Sequence, residues 1–111
     1  MAPYRGNVPA RERALASRLR QLLNEPGLLR GSLVEMRRRC GTRTCGCQRD
    51  PARRHRALYL GLRLNGKTRM VYIPSAWEAR VRRWTARYAA VREVLEQLSR
   101  ACLTRLERRE D

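Results

Sequence analysis

The clearest structural signal in the chain lies in residues 57–73, which read ALYLGLRLNGKTRMVYI. Leucine recurs at every second position before an Asn-Gly pair, and this period places the leucines on one face of a β-strand. Asn65 and Gly66 suit a two-residue type I′ turn, because both central positions of that turn need positive φ. The stretch therefore predicts a β-hairpin whose mainly aliphatic face packs on a helix. The cross-strand pairs that this turn fixes are Leu58 with Ile73, Tyr59 with Tyr72, Leu60 with Val71 and Leu64 with Lys67.

The residues before the hairpin predict one helix and one strand. Apolar residues at helical spacing indicate a helix over about residues 10–24. Pro26 ends it, because proline lacks the backbone donor that would continue the helix. Val34 and Met36 alternate with charged residues, which indicates a strand over about residues 32–39.

The residues after the hairpin predict one long helix over residues 75–108. Ser75 and Glu78 match a capping box, in which each side chain satisfies the other's free backbone amide. Apolar residues then recur at spacings of four and three, namely Trp77, Val81, Trp84, Tyr88, Val91, Leu95, Leu98 and Cys102. This heptad pattern predicts a coiled-coil-like helix about 50 Å long, whose C-terminal half packs on the first helix or on a second copy of the protein.

Three cysteines and the only histidine of the chain cluster just before the hairpin, and they are Cys40, Cys45, Cys47 and His55. Thiolates and imidazole are the ligands with which Zn²⁺ fills a tetrahedral shell, so we predict one structural zinc ion there. Four protein ligands leave no open position for an activated water, which argues against metal catalysis. One alternative is a redox role for Cys45 and Cys47. Another is Cys102 as the fourth ligand, although its place in the heptad pattern favours a small buried core residue.

Together these elements predict an α+β fold. It consists of an N-terminal helix, a three-stranded antiparallel sheet with the zinc loop between its first two strands, and a long C-terminal helix. With 111 residues the chain is long enough for one compact domain. The predicted organisation is a disordered arm over residues 1–9 and a single domain over residues 10–111, with the zinc loop at 40–56, the hairpin at 57–73 and the long helix at 75–108.

The charge of the chain points to a polyanionic partner. Its 26 basic and 10 acidic residues give a formal net charge of +16, which attracts polyanions and opposes self-association. No stretch approaches the roughly 20 apolar residues that a membrane helix needs. The N-terminal residues lack the apolar core of a secretory signal, so we expect a cytoplasmic protein with reduced thiols.

Eight arginines, here called the arginine band, are concentrated around the cysteines, and they are Arg37, Arg38, Arg39, Arg43, Arg49, Arg53, Arg54 and Arg56. With Asp50 as the one acidic residue between them, the segment carries a net charge of +7. Such a band on a rigid loop is expected to bind the phosphates of nucleic acid, and we favour DNA over RNA. The alternative is a solvated loop whose arginines reflect codon usage.

These motifs, in their order, resemble an uncharacterised family of small basic bacterial proteins with a Cys/His cluster, some of them encoded near transposases. The resemblance covers about residues 28–98. It rests on Gly31-Ser32-Leu33-Val34, Cys40-Gly41, Cys45-x-Cys47, His55, Gly66-Lys67-Thr68-Arg69 and Val71-Tyr72-Ile73-Pro74. It implies an association with DNA or a mobile element through gene neighbourhood alone, and no established activity.

The sequence therefore favours a zinc-stabilised, DNA-binding accessory protein that is not an enzyme. No Ser/His/Asp set is available, because the single histidine is assigned to the metal, and no glycine loop of the kind that binds phosphates is present. The alternative is a protein-interaction adaptor or homodimer that uses the long heptad helix, with a purely structural zinc site. We expect no membrane partner.

Overall fold

The protein, described here by a computed structural model over residues 8–109, has the predicted α+β architecture. Its elements are α1 (Ala10–Leu23), β1 (Ser32–Arg38), β2 (His55–Leu64), β3 (Lys67–Ile73) and α2 (Glu78–Arg108). The strands form one antiparallel sheet in the order β1-β2-β3, and the cysteine loop joins β1 to β2. The prediction of a disordered arm falls mostly on residues 1–7, which lie outside the described residues.

The described residues group into two compact units. One unit contains residues 29–85, and with them the sheet and the cysteine loop. The other contains residues 8–28 and 86–109. The single domain expected over residues 10–111 stays a prediction.

The hairpin has the predicted turn and register. Asn65 and Gly66 have φ values of 52° and 78°, so both central residues have the positive φ that a type I′ turn requires. The observed partners are Leu58 with Ile73, Tyr59 with Tyr72, Leu60 with Val71 and Leu64 with Lys67. The aliphatic side chains of the hairpin therefore share one face of the sheet.

This aliphatic face packs against the first turns of α2. The core of the unit is formed by Leu58, Leu60, Ile73 and Val81, each at most 6% exposed. Around it pack the partly buried side chains of Leu29, Leu33, Leu62 and Trp84. Burial of each such side chain contributes about 1.5–3 kcal/mol, so this cluster fixes the sheet against the first turns of α2.

The opposite side of the sheet, here called the open face, stays in contact with solvent. Alternation along the paired strands places on it Val34, Met36, Arg38, His55, Ala57, Tyr59, Met70 and Tyr72. Met70 is 43% exposed and Tyr72 is 56% exposed. The open face thus begins at the cysteine loop, where His55 lies, and ends toward the hairpin turn.

The start of α2 differs from the predicted capping box. Residues Ser75–Trp77 form a 3₁₀ turn with Pro74 as its N-cap and no capping side chain. The Glu78 carboxylate instead accepts hydrogen bonds from Arg56 and Arg82, at 3.0 and 3.1 Å. Two charged side chains, Arg56 from β2 and Arg82 from α2 itself, have therefore replaced the local backbone partner.

The buried stripe of α2 also departs from the strict heptad. Val91 and Val94 are each 7% exposed, whereas the predicted core residue Leu95 is 49% exposed. Neighbouring residues are about 100° apart around an α-helix, so in this part of α2 the buried side is that of Val91 and Val94 and not that of Leu95.

In the unit of residues 8–28 and 86–109, a buried ion pair joins α1 to α2. Glu12 is 6% exposed, and its Oε1 accepts a hydrogen bond from Arg105 Nη1 at 2.9 Å. The Cys102 Sγ donates to the same oxygen at 3.5 Å. The prediction of Cys102 as a buried core residue was wrong, because the residue is exposed and its thiol bonds to a carboxylate.

Candidate metal centre

The loop between β1 and β2 is built from two short 3₁₀ turns, Gly46–Gln48 and Pro51–Arg53. Asp50 caps the second turn, because its carboxylate accepts the backbone N–H two residues further on at 3.0 Å. Pro51 fills the first position of that turn, where no backbone donor is needed. The turns bring the cysteines of the loop to the start of β2, where His55 lies.

Four potential metal ligands meet there, and they are Cys40, Cys45, Cys47 and His55. Their ligating atoms all lie within 4.8 Å of one another. Cys45 Sγ is 3.2 Å from His55 Nε2. Cys40 Sγ is 3.5 Å from Cys47 Sγ. Sulfur ligands about 2.3 Å from a tetrahedral zinc ion lie about 3.8 Å apart, so these spacings fit a single ion.

The ligands are supported by hydrogen bonds from the loop itself. The Cys40 backbone N–H donates to Cys47 Sγ at 3.3 Å, and Cys47 is 1% exposed. The side chain of Gln48 donates to the carbonyl oxygens of Cys40 and Thr42, at 2.6 and 3.4 Å. Such partners orient metal ligands and stabilise the charge on sulfur. Gln48 was missed from the sequence, because one amide beside a cysteine forms no recognisable pattern.

The thiols differ in how readily they ionise. A backbone hydrogen bond from Cys47 and a side-chain hydrogen bond from His55 lower the pKa of Cys45 to about 6. The pKa of Cys47 is raised. A backbone hydrogen bond from Cys40 lowers this pKa, but burial and the neighbouring thiols together outweigh that effect. Cys45 is therefore a thiolate at neutral pH, whereas Cys47 would need the positive charge of a bound ion to help its deprotonation.

Five residues of the arginine band have exposed side chains that form no ion pair with a carboxylate of residues 8–109, and they are Arg37, Arg39, Arg43, Arg49 and Arg53. Four of them lie in or directly beside the cysteine loop, and Arg37 lies near the end of β1. The guanidinium group of Arg53 rests against Gly46, where a Cβ atom would stand within 2.5 Å of it. These positive charges are therefore displayed around the candidate metal centre.

Of the other three residues of the arginine band, two form side-chain hydrogen bonds or ion pairs and one is half-buried. Arg38 donates to the hydroxyl of Tyr59. Arg54 is half-buried, and its Nε has no hydrogen-bond partner among the described residues. Arg56 forms ion pairs with Glu35 and Glu78, at 2.9 and 3.0 Å. The structure thus engages Arg56 and Arg38 in contacts that the charge pattern of the sequence did not indicate.

The two alternatives for the cysteines can be compared with this geometry. All four cysteines are free thiols, including Cys45 and Cys47. The group whose ligating atoms converge contains His55 and not Cys102. Partial desolvation of the Cys102 thiol and its hydrogen bond to the Glu12 carboxylate raise the pKa of Cys102 from its usual value, which disfavours a thiolate at that position.

A family model described as "Domain of unknown function (DUF6788)" matches residues 8–83. No curated protein and no solved structure matched the chain. Within the described part of the chain, no helix combines the length and the apolar character needed to cross a membrane.

Proposed function

The chain belongs to the DUF6788 family, whose function is unknown, and from its own geometry we propose that it is a zinc-stabilised nucleic-acid-binding protein. The observation that carries this proposal is the convergence of three thiols and one imidazole within 4.8 Å, surrounded by exposed arginines. The metal holds the loop in one conformation, and the loop presents guanidinium groups to phosphates. We infer a DNA partner before an RNA partner. An association with a mobile element stays a prediction.

Zinc is the ion that this donor set favours. Three sulfur atoms and one imidazole nitrogen are soft or borderline donors, and no carboxylate belongs to the group. Calcium and magnesium require oxygen ligands, whereas zinc binds Cys₃His sets in structural sites. Thiolate ligands also need a reducing compartment, which agrees with a cytoplasmic protein.

A structural role for the ion follows from the number of ligands. Four protein ligands complete a tetrahedral shell and leave no position for a water or a substrate. We therefore propose a binding function rather than catalysis. A redox role would instead require that Cys45 and Cys47 remain free of metal.

Nucleic acid is the partner that the arginine band favours. The formal net charge of the chain is +16, and five arginines of the band form no ion pair with a described carboxylate. Each phosphate that an arginine neutralises releases condensed counterions, so affinity falls steeply with salt. Guanidinium groups also bind phosphate oxygens in a forked geometry that lysine cannot reproduce.

The test measures metal content and nucleic-acid affinity on the same protein. We expect one zinc ion per chain, and loss of zinc in the His55→Ala variant. Four band arginines, Arg37, Arg39, Arg43 and Arg49, are changed to glutamine, and binding to a generic oligonucleotide is followed between about 50 and 200 mM salt. The slope of log K against log salt should become shallower by about 3 units.

The matched control changes the same amount of charge on the helices. It carries glutamine at the exposed positions Arg11, Arg18, Arg83 and Arg92. Net charge is then equal in the two variants, and only the place of the charge differs. Equal loss of affinity in both variants, or no measurable binding by the unmodified protein, would reject the proposal.

A second candidate function is self-association through α2. Leu95 and Leu106 are 49% and 62% exposed, and their spacing places them on one side of the helix. A second copy of the chain could bury these side chains, of which Leu95 also belongs to the heptad pattern of the sequence. Leu106→Glu should then change the mass measured by analytical ultracentrifugation from that of a dimer to that of a monomer. If the unmodified protein is a monomer at every concentration, this candidate function is excluded.

A further inference from the structure

The open face of the sheet carries an exposed pair of aromatic rings. The ring centroids of Tyr59 and Tyr72 are 5.7 Å apart, and the ring planes meet at 68° in an edge-to-face arrangement. Tyr72 is 56% exposed, and Met70 on the same strand is 43% exposed. Tyr59, Tyr72 and Met70 adjoin one another on the paired strands β2 and β3, so their exposed surface is contiguous and makes this face a candidate binding surface.

Positive charge accompanies the aromatic pair. The guanidinium carbon of Arg38 lies 5.7 Å from the centre of the Tyr59 ring, and Arg38 also donates to the Tyr59 hydroxyl. Arg38 is the last residue of β1, two positions before Cys40. The arginine band therefore continues onto the open face rather than ending at the loop.

The register of the strands connects this face to the candidate metal centre. His55 and Tyr59 lie on the same face of β2 and are four residues apart, which corresponds to about 13 Å along the strand. His55 is paired with Arg38 across the sheet. An oligonucleotide whose bases lie over Tyr59 and Tyr72 therefore needs only a few more nucleotides to place its phosphates beside the arginines of the cysteine loop.

We propose that the open face binds the unpaired bases of single-stranded nucleic acid, with Tyr72 and Tyr59 as the stacking residues and the arginine band on the phosphates. The inference rests on the proposed nucleic-acid-binding function and specifies its substrate. Aromatic side chains beside a positively charged surface are the features with which proteins hold single strands. A duplex offers its phosphates but hides the faces of its bases, so it cannot use the tyrosines.

The test compares a fluorescent oligothymidine of about 12 nucleotides with a duplex of the same length, by anisotropy. We expect the unmodified protein to bind the single strand more tightly. Tyr72→Ala should weaken binding of the single strand by about 5- to 150-fold, which corresponds to the loss of one stacked base. The salt slope should stay unchanged, because no phosphate contact is lost.

Conservative and matched variants separate stacking from a change in structure. Tyr72→Phe keeps the ring and should bind like the unmodified protein. Tyr72→Leu keeps apolar bulk and should lose as much affinity as Tyr72→Ala. Leu103→Ala removes an apolar side chain that is also exposed, at 54%, but lies on α2, and it should leave affinity unchanged.

Photocrosslinking provides a readout that does not depend on affinity. An oligonucleotide containing 5-iodouracil should crosslink to the peptide that contains Tyr72 or Tyr59, as identified by mass spectrometry. Binding that is unaffected in Tyr72→Ala, with crosslinks only to the loop, would overturn this inference and leave the proposed function standing. No binding of either oligonucleotide by the zinc-loaded protein would overturn the proposed function itself.

Discussion

Arg56 joins β2 to the start of α2 through a two-pronged contact with Glu78. Its Nη2 donates to Oε1 at 3.0 Å and its Nη1 donates to Oε2 at 3.3 Å. The Nε atom of the same guanidinium lies 2.9 Å from the Glu35 carboxylate on β1. One arginine next to His55 therefore ties three elements together at the base of the candidate metal centre.

This contact predicts a pH-dependent contribution to stability. Hydrogen bonds from Arg56 and Arg82 hold the pKa of Glu78 below its usual 4.5. The stabilisation is therefore fully present above that value and is lost as pH falls through the lowered pKa of the folded protein. Glu78→Gln should lower the melting temperature at neutral pH, and the difference should shrink and vanish as pH falls through the lowered pKa of Glu78.

Glu96 supplies a matched control for this change. Glu96 pairs with Arg100, four residues further on, at 3.2 Å, just as Glu78 pairs with Arg82 at 3.1 Å. In the Glu96–Arg100 pair, however, both side chains are exposed. Glu96→Gln should leave the melting temperature almost unchanged at every pH, since exposed pairs contribute little. Equal effects of the two substitutions would contradict the assigned role of Arg56.

The second prediction concerns the reactivity of Cys45 in metal-free protein. Because its pKa is lowered to about 6, alkylation by iodoacetamide should reach half of its maximal rate near that pH. Cys102, whose pKa is raised, should react only under alkaline conditions. The measurement is peptide mass spectrometry after short alkylation pulses across pH.

His55→Ala tests the cause of this reactivity. The substitution removes the side-chain hydrogen bond to Cys45 but leaves the backbone hydrogen bond from Cys47, so the midpoint should move to higher pH without reaching 9.0. A midpoint that does not respond would show that the imidazole is not in contact with this thiol in solution.

Much of the fold could be predicted because its determinants are local. Asn65 and Gly66 define the hairpin turn, and alternation fixes which side chains face the core, so the register follows from the sequence. The capping box failed for the opposite reason. The capping box predicts that Glu78 bonds to a nearby backbone N–H. In the structure it bonds instead to the charged side chain of Arg56, which is 22 residues away and which no local pattern reveals.

In the candidate site, the four potential ligands could be predicted from the sequence, but the contacts of the arginines could not. Three cysteines and a histidine close in sequence indicate a metal site whatever the detailed fold. The contact of Arg38 with Tyr59 could not be read from the sequence, because it joins residues 21 apart through a long side chain. Charge counting treated all eight arginines of the band alike, and only the contacts separate the free ones from those that bind the protein.

The third prediction concerns the buried ion pair between α1 and α2. Glu12 and Arg105 have side chains only 7% and 17% exposed. Glu12→Ala leaves the guanidinium of Arg105 without its partner, which should cost about 3–5 kcal/mol in the free energy of unfolding by urea. The combined change Glu12→Leu with Arg105→Met should recover most of that loss, because no buried charge remains.

Glu25 provides the comparison for this pair. Its carboxylate accepts from Arg87 at 2.7 Å, but its side chain is 74% exposed. Arg87 also donates to the carbonyl of Pro26 at 2.6 Å, so it keeps a partner when the carboxylate is removed. Glu25→Ala should cost about 0–1 kcal/mol, and a cost as large as that of Glu12→Ala would contradict the importance of burial.

The fourth prediction links metal to the stability of the sheet unit. Zinc that binds only the folded loop should raise the free energy of unfolding by about 2.7 kcal/mol at a free concentration 100 times Kd. Chelation should lower stability but retain most of the helical circular dichroism, because α1 and α2 contribute none of the four ligands. Urea unfolding at buffered free zinc measures both effects. In His55→Ala, stabilisation should require a higher concentration of free zinc. If the free energy of unfolding does not depend on zinc, the metal has no structural role in this protein.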